Sequence, residues 1–260
     1  LALTANTTGE YNCAVGYTAM DACTTGDNNT AIGGYDTLGG VTTGDANIGV
    51  GYHAGATLTT GTHNVLIGKS AGSYDGADIT TGAQNVIVGN YAMVSAADSA
   101  NQIVMGYYVT GNANNSFVIG NGATDSAIAF GGNSITVPSD IRLKEDIQDE
   151  EIGLEFINEL RPVTFRWKKA KDIPQELKVY DPASEERVMN GKYNHGFIAQ
   201  EVKEVIDNHN LKEGFDMWQE DEIDGRQRIG EAALMPMMVK AVQELSAQVE
   251  ELKNNQCKCN

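Results

Sequence analysis

Short apolar bursts alternate with longer polar stretches through the first half of the chain. One phrase, Thr-Thr-Gly-x-x-Asn followed by three residues and a glycine, ends at Gly33, Gly51, Gly68 and Gly89. Shortened copies end at Gly16, Gly106 and Gly120, so the closing glycines are 17, 18, 17, 21, 17 and 14 residues apart. This period predicts a β-roll or solenoid, whose coils must stack because one coil cannot bury its own apolar face.

Each apolar burst, such as residues 65–67 or 86–88, is β-branched and long enough for one short strand. The glycine that follows suits a corner that needs positive φ or close backbone approach. The recurring asparagine predicts an internal hydrogen-bonded ladder, since identical polar side chains stack from coil to coil.

Tyrosines recur at or near the closing glycines, which indicates a structural position; they are Tyr17, Tyr35, Tyr52 and Tyr91. No aromatic platform or pair of carboxylates stands out for sugar binding or hydrolysis. A host cell-surface glycan or receptor is nevertheless a candidate partner for this shaft.

Charge divides the chain into two parts. Residues 1–137 hold nine acidic residues and one base, Lys69, whereas the remainder holds 26 acids and 17 bases. The net charge of −17 argues against nucleic acid, because phosphate binding needs clustered Lys and Arg. No apolar run is long enough to span a membrane, and no His, Cys or carboxylate cluster predicts a metal or other cofactor.

The end of the chain predicts a coiled coil over residues 232–255. Apolar residues fall at alternating spacings of three and four, which is typical of a seam between helices. Pro236 suits the first helical turn. The seam residues are Met235, Met238, Val242, Leu245, Val249 and Leu252.

The composition changes between residues 131 and 147, where the chain reads Ser139-Asp140-x-Arg142-Leu143-Lys144-x-Asp146-Ile147. A second block spans residues 160–167, a third spans residues 195–202, and the terminal helix takes the fourth place. In this order the blocks resemble the C-terminal intramolecular chaperone auto-processing domain of phage tailspikes and tail fibres. That domain is of the endosialidase type and is related to one in myelin regulatory factor. The repeats before it resemble the heads of trimeric autotransporter adhesins.

The resemblance implies that Ser139 is a nucleophile, that Lys144 is its general base, and that the chain is cut at Ser139. A serine hydroxyl needs such a base, and a lysine serves when burial favours its neutral form. Five residues separate the two, so a turn or bent strand can join them; alternatively, a neighbouring subunit supplies the base. Attack on the Pro138 carbonyl passes through a five-membered ring, and cleavage between Ser139 and Asp140 stays open.

Further residues of these blocks are candidates for supporting roles: Arg142, Asp146, His195, Gln200 and Glu201. Each also has a structural interpretation. Asp140 suits a cap, Arg142 and Asp146 suit an ion pair, and His195 assists the base or fixes the local geometry. Gln200 and Glu201 orient neighbours or pair with Arg161 or Arg166.

The terminal cysteines, Cys257 and Cys259, form interchain disulfides in a trimer or remain free thiols on a frayed tail.

The expected architecture is a trimeric β-roll or β-helix-like shaft over residues 1–137, then an α+β chaperone domain over residues 138–260 that ends in a coiled-coil helix. The expected protein is the C-terminal part of a trimeric phage tail fibre or tailspike. Its chaperone domain trimerises and folds the shaft, then releases itself by single-turnover serine autoproteolysis, with no substrate in trans. The shaft then belongs to the virion, and the chaperone part is released in the host cytoplasm. The alternative is a structural trimerisation or adhesin module that is never cut.

Overall fold

A computed structural model of the chain describes residues 1–74, 76, 78–122, 124–132, 134–211 and 215–258. It divides into two compact units, Leu1–Glu145 and Asp146–Asn260. Among the described residues, no helix is both long and apolar enough to cross a membrane.

The first unit is a β-solenoid. Its strands are β1 Cys13–Tyr17, β2 Thr30–Tyr35, β3 Ile48–Val50, β4 Val65–Ile67, β5 Val86–Val88, β6 Gln102–Tyr107, β7 Ser116–Asn121 and β8 Thr124–Ala129. The first seven pair in sequence order and in parallel, so each repeat forms one coil. Strand β8 turns back and pairs antiparallel with β7, which covers the edge that β7 would otherwise expose. The predicted solenoid is therefore confirmed.

The middle residue of each three-residue burst points into the coil. Leu66, Ile87 and Val104 are aligned on neighbouring strands and fully buried. Because side chains alternate along a strand, the two flanking positions face outward. The strand of each coil thus contributes one side chain to the core, and the segments between strands add others, such as Leu38, Leu58 and Ile79.

The predicted asparagine ladder runs through the coils. Asn64 shows the pattern: its backbone N–H and its Nδ2 both donate to Asn47 Oδ1 at 3.0 Å, and Nδ2 also donates to the Gly82 carbonyl at 2.8 Å. The same bonds repeat from rung to rung, and Gln102 ends the series. The ladder residues are Asn12, Asn29, Asn47, Asn64 and Asn85.

The closing glycines stack directly on one another. Gly89 has φ +142°, and a Cβ there would lie 1.8 Å from the Gly106 carbonyl oxygen. Both the backbone conformation and the contact with the next coil therefore require glycine.

The second unit is a small α+β domain. It contains α1 Leu154–Glu159, β9 Val163–Phe165, β10 Asn194–Gly196, α2 Ala199–Asn208, β11 Trp218–Glu220, β12 Gln227–Ile229 and α3 Met235–Lys258. Strands β9 and β10 pair antiparallel, as do β11 and β12. Its core forms around Phe156 of α1, Val202 and Ile206 of α2, Met217, and Met237 of α3. The expected α+β domain with a terminal helix is confirmed.

Helix α3 holds the start of α1. The Leu154 backbone N–H donates to Glu244 Oε2 at 2.8 Å, and Gly153, the residue before the helix, supplies no cap of its own. A Cβ on Gly153 would lie 2.7 Å from the same Oε2 and 2.8 Å from Lys240 Cγ. The glycine thus leaves room for a carboxylate that caps a neighbouring helix.

Replacing Gly153 with alanine is expected to displace the Glu244 carboxylate and remove this cap, at a cost of about 0.5–2 kcal/mol in unfolding free energy. Both tryptophans, Trp167 and Trp218, lie in the second unit, so their fluorescence during urea unfolding reports on it. Glu244→Ala should cost a similar amount, and Glu244→Gln much less, because an amide oxygen still accepts. If the double variant Gly153→Ala/Glu244→Ala loses the sum of the two single losses in unfolding free energy, the two residues do not act through the same helix cap.

Candidate active site

Ser139 and Lys144 meet in the first unit. The Lys144 ammonium Nζ donates a hydrogen bond to Ser139 Oγ at 2.8 Å. A 3-10 turn over Ile141–Leu143 lies between them and folds the chain back, so residues five apart in sequence touch. The turn is closed by bonds from the Leu143 N–H to the Asp140 carbonyl and from the Lys144 N–H to the Ile141 carbonyl.

Asp140 fixes this turn. Its carboxylate caps the turn by accepting the Arg142 backbone N–H at 2.9 Å, and it also accepts from Arg142 Nε at 3.0 Å and Nη2 at 2.6 Å. These bonds from Arg142 hold the pKa of Asp140 below its ordinary value. Arg142 pairs with Asp140 and not with Asp146, whose backbone has φ +52°. Arg142 therefore does not pair with Asp146, as its structural interpretation allowed. It pairs with Asp140, the residue that follows Ser139.

The Ser139–Lys144 pair is exposed in the single chain. In this contact the Lys144 Nζ is the donor, and an ammonium has no lone pair with which to accept the hydroxyl proton. To act as a base, the amine must be moved into an environment that disfavours its charge. The geometry brings the candidate nucleophile and the candidate base into contact.

The other candidate residues lie in the second unit. His195 stands on β10, with Nδ1 3.4 Å from Thr164 Oγ1. Glu201 pairs with Arg161, whose Nε donates to Oε2 at 2.9 Å, and this bond lowers the pKa of Glu201. Gln200 lines an open groove of about 890 Å³. The structure thus selects Arg161 from the two arginines that the sequence offered to Glu201.

The comparisons with known proteins bear on the segment that begins at the serine. Residues 139–211 match a peptidase family described as the chaperone of endosialidase. This segment is similar to that family of intramolecular chaperone domains. Searches of curated proteins and of solved structures find no match to the chain.

The match to the chaperone domain begins at Ser139, the candidate nucleophile. It includes the Ser139–Lys144 turn, β9 and β10 with His195, and α2 with Glu201. Helix α3 follows the matched residues within the same compact unit as α1 and α2.

Two faces of α3 differ. Leu234, immediately before the helix, and Met237 and Ala241 are buried in the domain. The six seam residues predicted from the sequence are 46–62% exposed. The helix therefore has one apolar face inside the chaperone unit and a second apolar face that a single chain leaves in water. Cys257 falls within the range of α3, and Cys259 lies outside the described residues.

The sequence analysis missed an apolar environment around the serine. Four large side chains beside it are 63–73% exposed: Ile135, Val137, Ile141 and Leu143. The signal was present, because residues 135, 137, 139, 141 and 143 alternate with other positions and only the serine among them is polar. These four exposed apolar side chains, which flank the candidate nucleophile in the sequence, are called the apolar strip.

Proposed function

We propose that the chaperone domain assembles three chains, guides the folding of the solenoid shaft, and then detaches by autoproteolysis at Ser139. The assembled shaft is the C-terminal part of a phage tail fibre or tailspike and belongs to the virion. The contact between Lys144 Nζ and Ser139 Oγ, at the first residue of the chaperone match, is the observation that carries the proposal.

Apolar surfaces on both units support assembly. One outward position of each strand aligns from coil to coil and forms a continuous apolar column: Ile32, Val50, Ile67, Val88, Met105 and Ile119. Four of these side chains, Ile32, Ile67, Met105 and Ile119, are 36–51% exposed. The α3 seam forms a second such column. Contiguous apolar surface of this kind marks an interface, and a copy of the same chain offers the same column in return. The number of three chains comes from the resemblance to trimeric tail fibres.

Cleavage proceeds in two steps. Ser139 Oγ attacks the Pro138 carbonyl carbon and forms a C–O bond, while the Lys144 amine takes the hydroxyl proton. The Pro138–Ser139 C–N bond breaks as that proton passes to the serine nitrogen, which leaves an ester. Water then cleaves the ester to give a Pro138 carboxylate and a free amino group on Ser139. The Ser139–Asp140 bond is the alternative site.

Assembly supplies the missing activation. The apolar strip around Ser139 is exposed in one chain and has the composition of a surface that other chains cover. Covering it would remove water from Lys144 and favour the neutral amine. Cleavage then follows correct assembly and acts once per chain.

Release of the chaperone domain makes the stability of the shaft kinetic. While the chaperone domain stays attached, the shaft can refold whenever it unfolds. After release the shaft has lost its folding guide, so its persistence depends on the rate of unfolding.

Intact-mass spectrometry of the purified chain and of Ser139→Ala, combined with light scattering, tests this function. We expect two fragments from the parent whose masses add up to one chain plus one water, and their masses identify the bond. Ser139→Ala should remain uncut as a trimer of 27.8 kDa chains. Ser134→Ala, five residues earlier and also exposed, is the matched control and should be cut like the parent.

If the parent chain is trimeric but remains uncut, cleavage is disproved, and the function is that of a structural module that stays attached. If the Ser139→Ala chain is monomeric, the proposed assembly of three chains is disproved.

A further inference from the structure

Two asparagines of the chain are followed directly by glycine, in the pairs Asn121–Gly122 and Asn190–Gly191. In such a pair the backbone nitrogen of the glycine can attack the side-chain amide carbon of the asparagine, because glycine has no Cβ to hinder the close approach. Both asparagines are exposed. The local sequence therefore gives both pairs the same opportunity for this reaction, and only the folded structure distinguishes them.

The solenoid fixes the first pair. Asn121 is the last residue of β7, where it is aligned with Tyr107 of β6 and Thr124 of β8. The Gly122 backbone N–H donates to the Tyr107 carbonyl at 2.9 Å. This nitrogen must break that bond and leave its place beside the sheet before it can reach the Asn121 amide. The shaft therefore protects its own asparagine–glycine pair.

The second pair lies in the loop before β10. Asn190 Oδ1 accepts two hydrogen bonds, from the Lys192 backbone N–H at 3.0 Å and from Asn194 Nδ2 at 3.2 Å. Gly191 is exposed, and a Cβ there would meet no atom within 4 Å, so water and base reach it. Among the described residues, no carbonyl accepts the Gly191 N–H. The nucleophilic nitrogen is thus available, in contrast to that of Gly122.

The two hydrogen bonds to Asn190 Oδ1 favour the attack. Negative charge develops on a carbonyl oxygen when a nucleophile adds to its carbon, and donors already aimed at that oxygen stabilise the charge. The next carbonyl, that of Gly191, accepts from Arg166 Nη2 at 3.0 Å, and Arg166 Cζ lies 5.3 Å from the centroid of the Tyr193 ring. The loop is therefore held on both sides of the reacting atoms.

We propose that Asn190 is a site of spontaneous deamidation in the folded chain and that Asn121 is protected from it. The Gly191 nitrogen loses its proton to solvent and forms a bond with Asn190 Cγ. The Cγ–Nδ2 bond then breaks, and Nδ2 takes up a proton and leaves as ammonia. Water opens the resulting five-membered imide at either carbonyl, which gives an aspartate or an isoaspartate at position 190. The reaction consumes one water and needs no enzyme or oxidant.

Deamidation changes the chaperone unit locally. An aspartate at position 190 keeps an oxygen that accepts both hydrogen bonds, and it adds a negative charge next to the carbonyl that Arg166 contacts. An isoaspartate instead routes the backbone through Cγ and lengthens the loop before β10 by one bond. The modification therefore accumulates with age in the chaperone unit and spares the shaft. It is independent of the proposed assembly and cleavage.

Peptide mapping by mass spectrometry of full Ser139→Ala chains, sampled during incubation in mildly alkaline buffer, tests the proposal. Deamidation is read as the conversion of an amide to an acid at each position. In the folded chain Asn190 should react about tenfold faster than Asn121, or faster still, because its carbonyl is activated and the Gly122 nitrogen is held. In urea the two rates should become similar, because the local sequence alone then determines them.

Asn194→Ala removes one donor to Asn190 Oδ1 and should slow deamidation at Asn190 by about three- to tenfold. Asn158→Ala, at an exposed position of α1, is the matched control and should leave the rate unchanged. Circular dichroism confirms that each variant is folded; if Asn194→Ala is not, the comparison of folded and urea-treated parent decides alone.

The proposal is overturned if Asn121 reacts as fast as Asn190 in the folded chain, or if the ratio of the two rates is the same in urea. It is also overturned if folded Asn194→Ala reacts at the parent rate or faster, since the bonds to Oδ1 would then not activate the amide.

Discussion

Replacing Lys144 with methionine is expected to slow self-cleavage by roughly 100- to 10,000-fold, the usual contribution of a general base. Methionine keeps the length of the side chain but cannot take the Ser139 proton. The measurement is the rate at which intact chain disappears in timed mass spectra of assembled protein. Lys168→Met, an exposed lysine of the second unit, is the matched control and should be cut at the parent rate.

The Lys144→Arg variant distinguishes a role of Lys144 as a general base from a role of its positive charge alone. A guanidinium can still donate to Ser139 Oγ, as Lys144 does at 2.8 Å, but it remains protonated and cannot act as a base. We expect it to be as slow as Lys144→Met. In the parent, the cleavage rate should rise with pH, because the neutral amine is the active form and its fraction grows as pH increases. Rapid cleavage by Lys144→Arg, or a rate independent of pH, would show that the amine only positions the serine.

The sequence predicted the shaft well because its information is repeated. Closing glycines at near-regular spacing indicate stacked coils, and β-branched bursts such as residues 65–67 indicate the strands. The asparagine that recurs before each of the first five strands follows from the same repetition. The stacking of Tyr17 on Tyr35 and of Tyr35 on Tyr52 could not be predicted in this way. Gly34 adds a residue before Tyr35, so only the folded register brings these rings side by side.

The site was less accessible to sequence reasoning. The resemblance identified Ser139 and Lys144, but a separation of five residues does not by itself specify contact. Contact depends on the 3-10 turn and on the Asp140 carboxylate that clamps Arg142 across it. The cap on α1 from Glu244, 90 residues away in the chain, had no local signal at all.

Replacing Asn64 with alanine is expected to lower the free energy of unfolding of the shaft by about 2–6 kcal/mol. Asn64 Oδ1 accepts the buried Asn85 backbone N–H at 3.1 Å, and its Nδ2 donates to the Gly82 carbonyl at 2.8 Å. Alanine leaves both backbone groups without these partners inside the coil, and each such loss costs about 1–3 kcal/mol. Denaturant unfolding of assembled Ser139→Ala chains, in which the chaperone domain stays attached, measures the change.

Position along the ladder separates this explanation from a general loss of packing. Asn12 begins the series and is only partly buried, so water can replace some of its bonds, and Asn12→Ala should cost about 1 kcal/mol. Asn121→Ala, at an exposed position of β7, should change little. If Asn64→Ala and Asn12→Ala cost the same, the ladder would not act as a buried hydrogen-bond chain. The stability of the coils would then come from their buried apolar residues, such as Leu38, Leu58 and Leu66, and from burial of the outward column between chains.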